Sequence, residues 1–223
     1  MISLTRVTKA YGGQTVINDV TFHVSSGECV RLIGARQSGR TTLLRIIATL
    51  VRPTSGSLSI DGVDAARNPV AARRKVAYAS PEILAGSRLR VDEYLRFVAR
   101  TRGISSDRRG TELCEQCGLD PAAAVDRLTS GGRATLAVAA ALVAAPGVML
   151  LNDSLAAIEE PERRERIADV IRQARAAGTT MIVASNGADE LSAMSSRIVT
   201  LDGGQLQEGL PALRHQGEAT WAR

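Results

Sequence analysis

The stretch "GARQSGRTT", residues 34 to 42, stands between a strand-like run, "ECVRLI", and a helix-like run, "TTLLRIIATL". Gly34, Gly39 and Thr41 fit the spacing GxxxxGK followed by serine or threonine, the pattern of a phosphate-binding loop. In such a loop, backbone N–H groups surround a phosphate at the start of a helix. Arg40 occupies the lysine position. The sequence therefore predicts a strand, a phosphate-binding loop and a helix, with one altered contact residue.

The residue types within the loop suit phosphate contact. Glycine permits a tight turn and a close approach of the backbone, and the Thr41 hydroxyl is placed for Mg²⁺. Arg40 keeps the positive charge of lysine, but its guanidinium is planar and larger. The candidate contact residues are Gly34, Gln37, Ser38, Gly39, Arg40, Thr41 and Thr42. An ordinary glycine-rich turn is the alternative that the loop alone leaves open.

The rest of the chain alternates between strand-like and helix-like runs. Apolar runs such as "VMLL" and "TTMIVAS" are typical of strands buried on both faces. Helical periodicity follows in "VDEYLRFVARTR", "RRGTELCEQCGL" and the alanine-rich "RATLAVAAALVAA". This alternation predicts an α/β fold with a mainly parallel sheet.

Composition narrows the class of protein. The 223 residues have a formal net charge of +5 and are 44% hydrophobic. The arginines alternate with acidic residues along helical stretches, which indicates solvated faces, so we expect no nucleic-acid partner. No apolar run is long enough to cross a membrane, and the start lacks the apolar core of a signal peptide. Cys114 and Cys117, at helical spacing and without a second pair, are predicted to be core residues.

Several spaced motifs together resemble the ATP-binding subunits of ABC transporters. The segment from Leu128 to Pro161 is similar, without a gap, to the family's signature and Walker B region. "TKAYGGQTVINDVTFHVSSGECVRLIGARQSGRTTLLRII" and "SRIVTLDGGQL" resemble its N-terminal region and its closing strand and turn. The likeness covers about residues 2 to 208 and is greatest to stand-alone subunits of ABC-2-type and haem-exporter-like systems.

The resemblance implies a P-loop NTPase core of the ABC type, a mainly parallel sheet with an antiparallel β edge, and an inserted helical subdomain. On this basis we expect the core at 1–82 and 136–208, the helical subdomain at about 83–135, and a loosely held tail at 209–223. Family members pair two such subunits around ATP and dock on a membrane permease. The expected location is therefore peripheral, at the cytoplasmic face of the membrane.

The family's site residues can be carried over position by position, beginning in the first half of the chain. Tyr11 matches the aromatic residue that stacks on adenine, and Arg40 replaces the phosphate-binding lysine. Pro81 stands where a glutamine senses Mg²⁺ and the γ-phosphate. Glu82, beside it, is a possible metal ligand if the loop is shifted by one residue.

The catalytic positions of the second half are also altered. Asn152 replaces the aspartate that supports Mg²⁺, and a neutral amide suits a hard cation less well. Asp153 replaces the catalytic glutamate and is one methylene shorter. Asn186 replaces the histidine that contacts the γ-phosphate. We therefore expect weak or absent Mg²⁺ binding, with Thr41 and Asn152 as the weakened metal site.

The signature motif is partly retained. Thr129 and Gly131 fit it, whereas Ser130 and Gly132 replace its first glycine and its glutamine. By the resemblance, Thr129, Ser130 and Gly131 would contact the γ-phosphate held by a partner subunit. In the following D-loop, "AAIEE" replaces the usual SGLDP, with Glu159 at the aspartate position.

The altered positions lead to three hypotheses. The leading one is a degenerate subunit that binds ATP, hydrolyses it very weakly or not at all, and pairs with a permease and a second ATP-binding subunit. The first alternative is a slow but genuine ATPase, in which Arg40 and Asp153 act as substitutes and Glu82 repairs the metal site. The second is a scaffold that binds no nucleotide.

Overall fold

The structure, a computed structural model, describes residues 1–84, 88–104, 108–185 and 190–210. Its strands are β1 (Ile2–Tyr11), β2 (Gln14–Val24), β3 (Cys29–Ile33), β4 (Ser55–Ile60), β5 (Val63–Asp64), β6 (Val76–Ala79), β7 (Val148–Asn152), β8 (Thr180–Ala184), β9 (Arg197–Asp202) and β10 (Gln205–Glu208). Its helices are α1 (Arg40–Ile47), α2 (Pro69–Lys75), α3 (Val91–Thr101), α4 (Arg108–Cys117), α5 (Ser130–Leu142) and α6 (Pro161–Ala176).

Two sheets form the centre of the molecule. One has six strands in the order β10-β9-β3-β8-β7-β6, and all its neighbours are parallel except β10, which pairs antiparallel with β9. The other has four antiparallel strands in the order β2-β1-β4-β5. The predicted mainly parallel sheet with an antiparallel β edge is confirmed.

Strand β7 shows how the parallel sheet separates two hydrophobic clusters. Its successive side chains point to opposite faces, as in any strand. Val148 and Leu150 belong to the cluster that also contains α1 and the antiparallel sheet. Met149 and Leu151 belong to the cluster formed with the helices α3 to α6. Burial on both faces explains the continuous apolar run "VMLL".

The region between β6 and β7 is helical, as the resemblance implied. Helices α3, α4 and α5 pack on one another, and Cys114 and Cys117 lie buried in α4. Both cysteines are at most 1% exposed, as expected of core residues, and burial raises the pKa of the Cys117 thiol to about 12. The expected domain boundary between 135 and 136 falls inside α5, and the division of the chain stays a prediction.

Within the described ranges, none of the helices combines the length and the apolar character that crossing a bilayer requires. Residues 211–223, most of the predicted loose tail, lie outside the described residues, and Gly209 still donates a backbone hydrogen bond of 2.9 Å to Ile198.

Candidate functional site

The loop at 34–42 joins the carboxyl end of β3 to the first turn of α1. Strand β3 lies in the interior of the parallel sheet, between β9 and β8. In open α/β sheets, ligands bind beyond the carboxyl ends of the strands. Helix α1 also directs its unpaired N-terminal N–H groups toward this loop. The fold therefore places the predicted phosphate loop where an anion is best bound.

Both loop glycines are required by the geometry. A Cβ on Gly34 would stand 2.5 Å from the Leu201 carbonyl oxygen and 2.6 Å from Ser38 Oγ. Gly39 has a φ of +102°, and a Cβ there would stand 2.9 Å from the Val16 carbonyl oxygen. No other residue type fits either position without movement of the backbone.

The two residues before Gly39 complete the turn. Gln37 adopts a left-handed φ of 68°, uncommon for a residue other than glycine, and its side chain is exposed. Ser38 donates a backbone hydrogen bond of 3.1 Å to Ala35. The Ser38 hydroxyl is buried and makes no hydrogen bond within the part of the chain that the structure describes. A buried polar group of this kind is suited to an anion held in the loop.

Arg40 begins α1 and turns its guanidinium into the protein. The residue is only 7% exposed, and its Nη2 lies 3.8 Å from Oδ2 of Asp153. Burial lowers the pKa of the Arg40 guanidinium, and the Asp153 carboxylate offsets part of that lowering. The residue at the lysine position of the loop motif thus pairs with Asp153, the predicted catalytic position.

Thr41 and Asn152 form a second contact across the site. Thr41 Oγ1 donates to Asn152 Oδ1 at 3.5 Å, longer than an ordinary O–H···O bond of about 2.7–2.8 Å. Asn152 is buried at the end of β7, and Thr42, next to Thr41, is half-buried. The two residues predicted to hold a metal therefore do lie together.

Asp153 occupies a defined backbone position. Its φ is 46°, and its N–H donates to the Ala184 carbonyl oxygen at 2.9 Å. Left-handed residues other than glycine often mark functional sites, where surrounding structure holds them in place. Its carboxylate is 35% exposed and is directed toward Arg40.

Glu82, the possible metal ligand, forms an ion pair with a residue of α1, and its metal role stays a prediction. It follows Pro81 in a short 3-10 turn, and its Oε2 forms an ion pair of 2.7 Å with Arg45 Nη2. Its side chain is 66% exposed. The described structure therefore engages this carboxylate with Arg45 and gives Pro81 no liganding group.

Tyr11 ends β1 and is 47% exposed, as an adenine platform requires. Lys9 Nζ lies 4.7 Å from the centre of its ring, within cation–π distance. Sequence reasoning missed Lys9, although residues two apart on a strand share a face. It also missed Ser154, whose buried hydroxyl donates to the Ala79 carbonyl oxygen at 3.0 Å and ties β7 to β6.

The signature residues lie at the start of α5. Thr129 caps the helix, with its Oγ1 accepting a 3.1 Å hydrogen bond from Gly132 N–H. Ser130 is exposed, whereas Gly131 is buried, and a Cβ there would stand 3.3 Å from the Ala157 carbonyl oxygen. The signature therefore packs on the altered D-loop. Asn186, the predicted γ-phosphate contact, lies outside the described residues.

The residues present fit the two expected cofactors unequally. For a nucleotide, the loop offers a glycine cradle, a buried hydroxyl and a buried cation. For Mg²⁺, Thr41 and Asn152 offer only neutral oxygens, and Asp153 faces Arg40. Mg²⁺ is usually held through one or two carboxylates, so this donor set suits it poorly.

A glycine-rich loop between an interior parallel strand and a helix, with polar residues from β7 beside it, defines a P-loop nucleotide-binding protein. The family model described as ABC transporter matches residues 17–156. The chain therefore belongs to the ABC transporter family and is an ATP-binding domain of it. ABC domains of this kind bind ATP.

The sequence is similar to those of two ATP-binding proteins of known name. The chain is 30% identical over 205 residues to the doxorubicin resistance ATP-binding protein DrrA of Mycobacterium tuberculosis, covering 89% of this chain and 62% of DrrA. It is 29% identical over 229 residues to the spermidine/putrescine import ATP-binding protein PotA of Mesoplasma florum, covering 99% of this chain and 65% of PotA. The chain thus spans less than two thirds of the length of these relatives.

The fold agrees with that of solved ABC cassettes. The dimeric structure of MJ0796, a bacterial ABC transporter cassette, superposes with a TM-score of 0.83 at 23% identity. The match covers 93% of this chain and 98% of that one. The predicted ABC-type core is confirmed.

Proposed function

We propose that this chain is a degenerate ATP-binding subunit of a membrane transport system, one that binds nucleotide but hydrolyses it very weakly or not at all. The observation that carries the proposal is the contrast within the site. The loop has its two motif glycines in an enclosed turn at the start of α1, which supports phosphate binding. At the proposed metal-supporting position stands the neutral Asn152, and the carboxylate at the proposed catalytic position, Asp153, lies 3.8 Å from Arg40.

Nucleotide binding would use groups that are already in place. The backbone N–H groups around Ser38 and Gly39 would hold phosphate oxygens, and Arg40 would supply the positive charge. The Tyr11 ring would cover the adenine. ATP supplies the phosphoanhydride, and the chain's own contribution is to bind and orient it. We propose that this binding depends little on Mg²⁺.

Hydrolysis needs more than these groups supply. Phosphoryl transfer depends on positioning and on neutralising the developing charge, largely through Mg²⁺. A well-placed general base typically contributes a factor of about 10²–10⁴ in rate. Asp153 is one methylene shorter than the usual glutamate, and its carboxylate is engaged with Arg40. Weak metal binding and a misplaced base therefore both act against cleavage.

We propose that the chain acts together with other subunits. The partners would be an integral-membrane permease and a second ATP-binding subunit, with the chain peripheral at the cytoplasmic face of the membrane. The names of DrrA and PotA, which refer to doxorubicin resistance and to spermidine/putrescine import, support a role in transport. The dimeric form of MJ0796 supports pairing. A competent partner subunit would provide the hydrolysis that this site lacks.

The slow but genuine ATPase is the second candidate. Arg40 and Asp153 both keep the charge of the family residues they replace and lie within 3.8 Å of each other. The third candidate is a scaffold without nucleotide, and the tight contacts at Gly34 and Gly39 do not argue against it, because the turn needs glycine there in either case.

Equilibrium binding of ATP to the purified chain tests the proposal, measured by calorimetry with Mg²⁺ and again with EDTA. We expect saturable binding at millimolar ATP or below, with similar affinity under both conditions. The matched control is Gly39→Val, which should not bind. Absence of binding by the wild type would favour the scaffold, and a large gain in affinity with Mg²⁺ would favour the slow ATPase.

A further inference from the structure

We infer that Asp153 is a resident counter-ion of Arg40 that opposes phosphate entry, so that this carboxylate sets the nucleotide affinity of the site. The inference rests on the proposed function, since it concerns the same loop. It assigns to Asp153 a positioning role through Arg40, which differs from the general-base role of the residue that it replaces.

The guanidinium of Arg40 is buried in the protein. A guanidinium that is only 7% exposed loses most of its hydration, and a buried cation needs a compensating anion. Asp153 supplies such a charge from 3.8 Å. The direction of the Arg40 pKa agrees, because burial lowers it and Asp153 raises it.

The distance between Arg40 and Asp153 is long enough for a phosphate to compete for the guanidinium. Charge-assisted hydrogen bonds between guanidinium and carboxylate are about 2.7–2.9 Å long, whereas Arg40 Nη2 and Asp153 Oδ2 are 3.8 Å apart. At this distance the contact is electrostatic and longer than a hydrogen bond. A phosphate oxygen that reached Arg40 at hydrogen-bond distance would therefore compete with Asp153 for the guanidinium.

A phosphate bound to Arg40 would then lie close to the negative charge of Asp153. The backbone of Asp153 is fixed by its hydrogen bond to Ala184 and by its position directly after β7. Its carboxylate stays close to the guanidinium that the phosphate must share. Like charges at this separation repel by an amount that a partly exposed site reduces but does not remove. Removal of the Asp153 charge should therefore tighten phosphate binding.

The test uses ADP as the probe, in EDTA, so that neither hydrolysis nor metal enters the measurement. Asp153→Asn should bind ADP about tenfold more tightly than the wild type, since one like charge is removed from a partly exposed position. Asparagine tolerates the left-handed backbone as aspartate does. Asp153→Glu, which keeps the charge, should resemble the wild type. Glu165→Gln, an equal change of charge on α6, is the matched control and should have no effect.

A nucleotide-free double-mutant cycle gives a second readout. Asp153→Asn should lower the melting temperature by about 2–4 °C, because Arg40 loses its counter-ion. In an Arg40→Met background the same change should have little effect. Equal losses in both backgrounds would overturn the pairing.

The binding outcomes separate the inference from the proposed function. If the wild type binds ADP and Asp153→Asn binds it equally or more weakly, the inference is wrong and the proposed function stands. If the wild type does not bind, the proposed function fails. Asp153→Asn then decides the inference, which stands if this variant gains ADP binding and falls if it does not.

Discussion

The loop at 34–42 and the end of β7 at 152–153 contact each other, yet by the resemblance they differ to unequal extents from the motifs of the family. Gly34 and Gly39 of the loop fit the motif and are enclosed by neighbouring atoms. At the end of β7, Asn152 and Asp153 stand where the resemblance places an aspartate and a glutamate. Under the proposed function, the loop backbone would carry binding and the side chains at the end of β7 would carry cleavage, so the two could be lost separately.

The largest expected effect comes from placing the two acidic residues of the family motif at the end of β7. Asn152→Asp with Asp153→Glu returns the carboxylates that support Mg²⁺ and orient water. If side chains alone limit cleavage, Mg²⁺-dependent ATP turnover should rise by about 10²-fold or more, the typical contribution of a positioned base. A phosphate-release assay on the double variant, beside the wild type, measures this.

The control for that restoration is the same double variant carrying Gly39→Val, which should show no turnover. Turnover that stays at the wild-type level in the restored chain would place the defect elsewhere, for example at Arg40 or Pro81.

A change in the backbone of the loop at 34–42 should have the next largest effect. Gly39→Val introduces a Cβ where the Val16 carbonyl oxygen is 2.9 Å away and where φ is +102°. We expect loss of ATP binding and a decrease of about 1–3 kcal/mol in the free energy of unfolding, the usual cost of a non-glycine residue in such a conformation. Calorimetry and urea denaturation measure the two quantities. Retained binding would contradict the role assigned to the loop backbone.

Thr41→Val tests the contact between the loop and the end of β7 and should have a moderate effect. It removes the hydroxyl that donates to Asn152 at 3.5 Å. Because that bond is long and the metal site is proposed to be weak, ATP affinity should decrease by less than about fivefold, corresponding to roughly 1 kcal/mol. A loss seen only in the presence of Mg²⁺ would show that Thr41 still serves a metal.

The smallest effect is expected at Glu82. Its ion pair with Arg45 joins side chains that are 66% and 43% exposed. Exposed pairs contribute about 0.2–1 kcal/mol, so Glu82→Gln should lower the unfolding free energy by no more than this. ATP affinity with Mg²⁺ should stay unchanged. A selective loss of Mg²⁺-dependent affinity would return Glu82 to the metal site.

The fold was largely predictable because its strands and helices carry distinct periodicities. Buried strands such as β7 and β8 are continuous apolar runs. The glycines of the loop at 34–42 indicate the turn from β3 to α1. Helix α2 was missed, although Asn68 accepts a cap hydrogen bond from Ala71 and Pro69 stands at its first position. That combination is a helix-start signal that seven residues of weak periodicity obscured.

The site was predictable only in part. Spacing and resemblance identified Thr41, Asn152, Arg40 and Asp153 as members of one site. They did not predict the Arg40–Asp153 pair, because the pairing depends on how deeply the guanidinium is buried. The engagement of Glu82 with Arg45 was also not predictable, since it depends on where the 3-10 turn meets α1.

The fate of bound ATP tests the central claim most directly. The purified chain, in large excess over a trace of radiolabelled ATP, is incubated with Mg²⁺ and quenched at intervals to measure the ATP that remains and the ADP that forms. Separation of binding from cleavage predicts that the nucleotide is recovered as ATP over many minutes. Conversion to ADP and phosphate within seconds, abolished by Asp153→Asn, would contradict it.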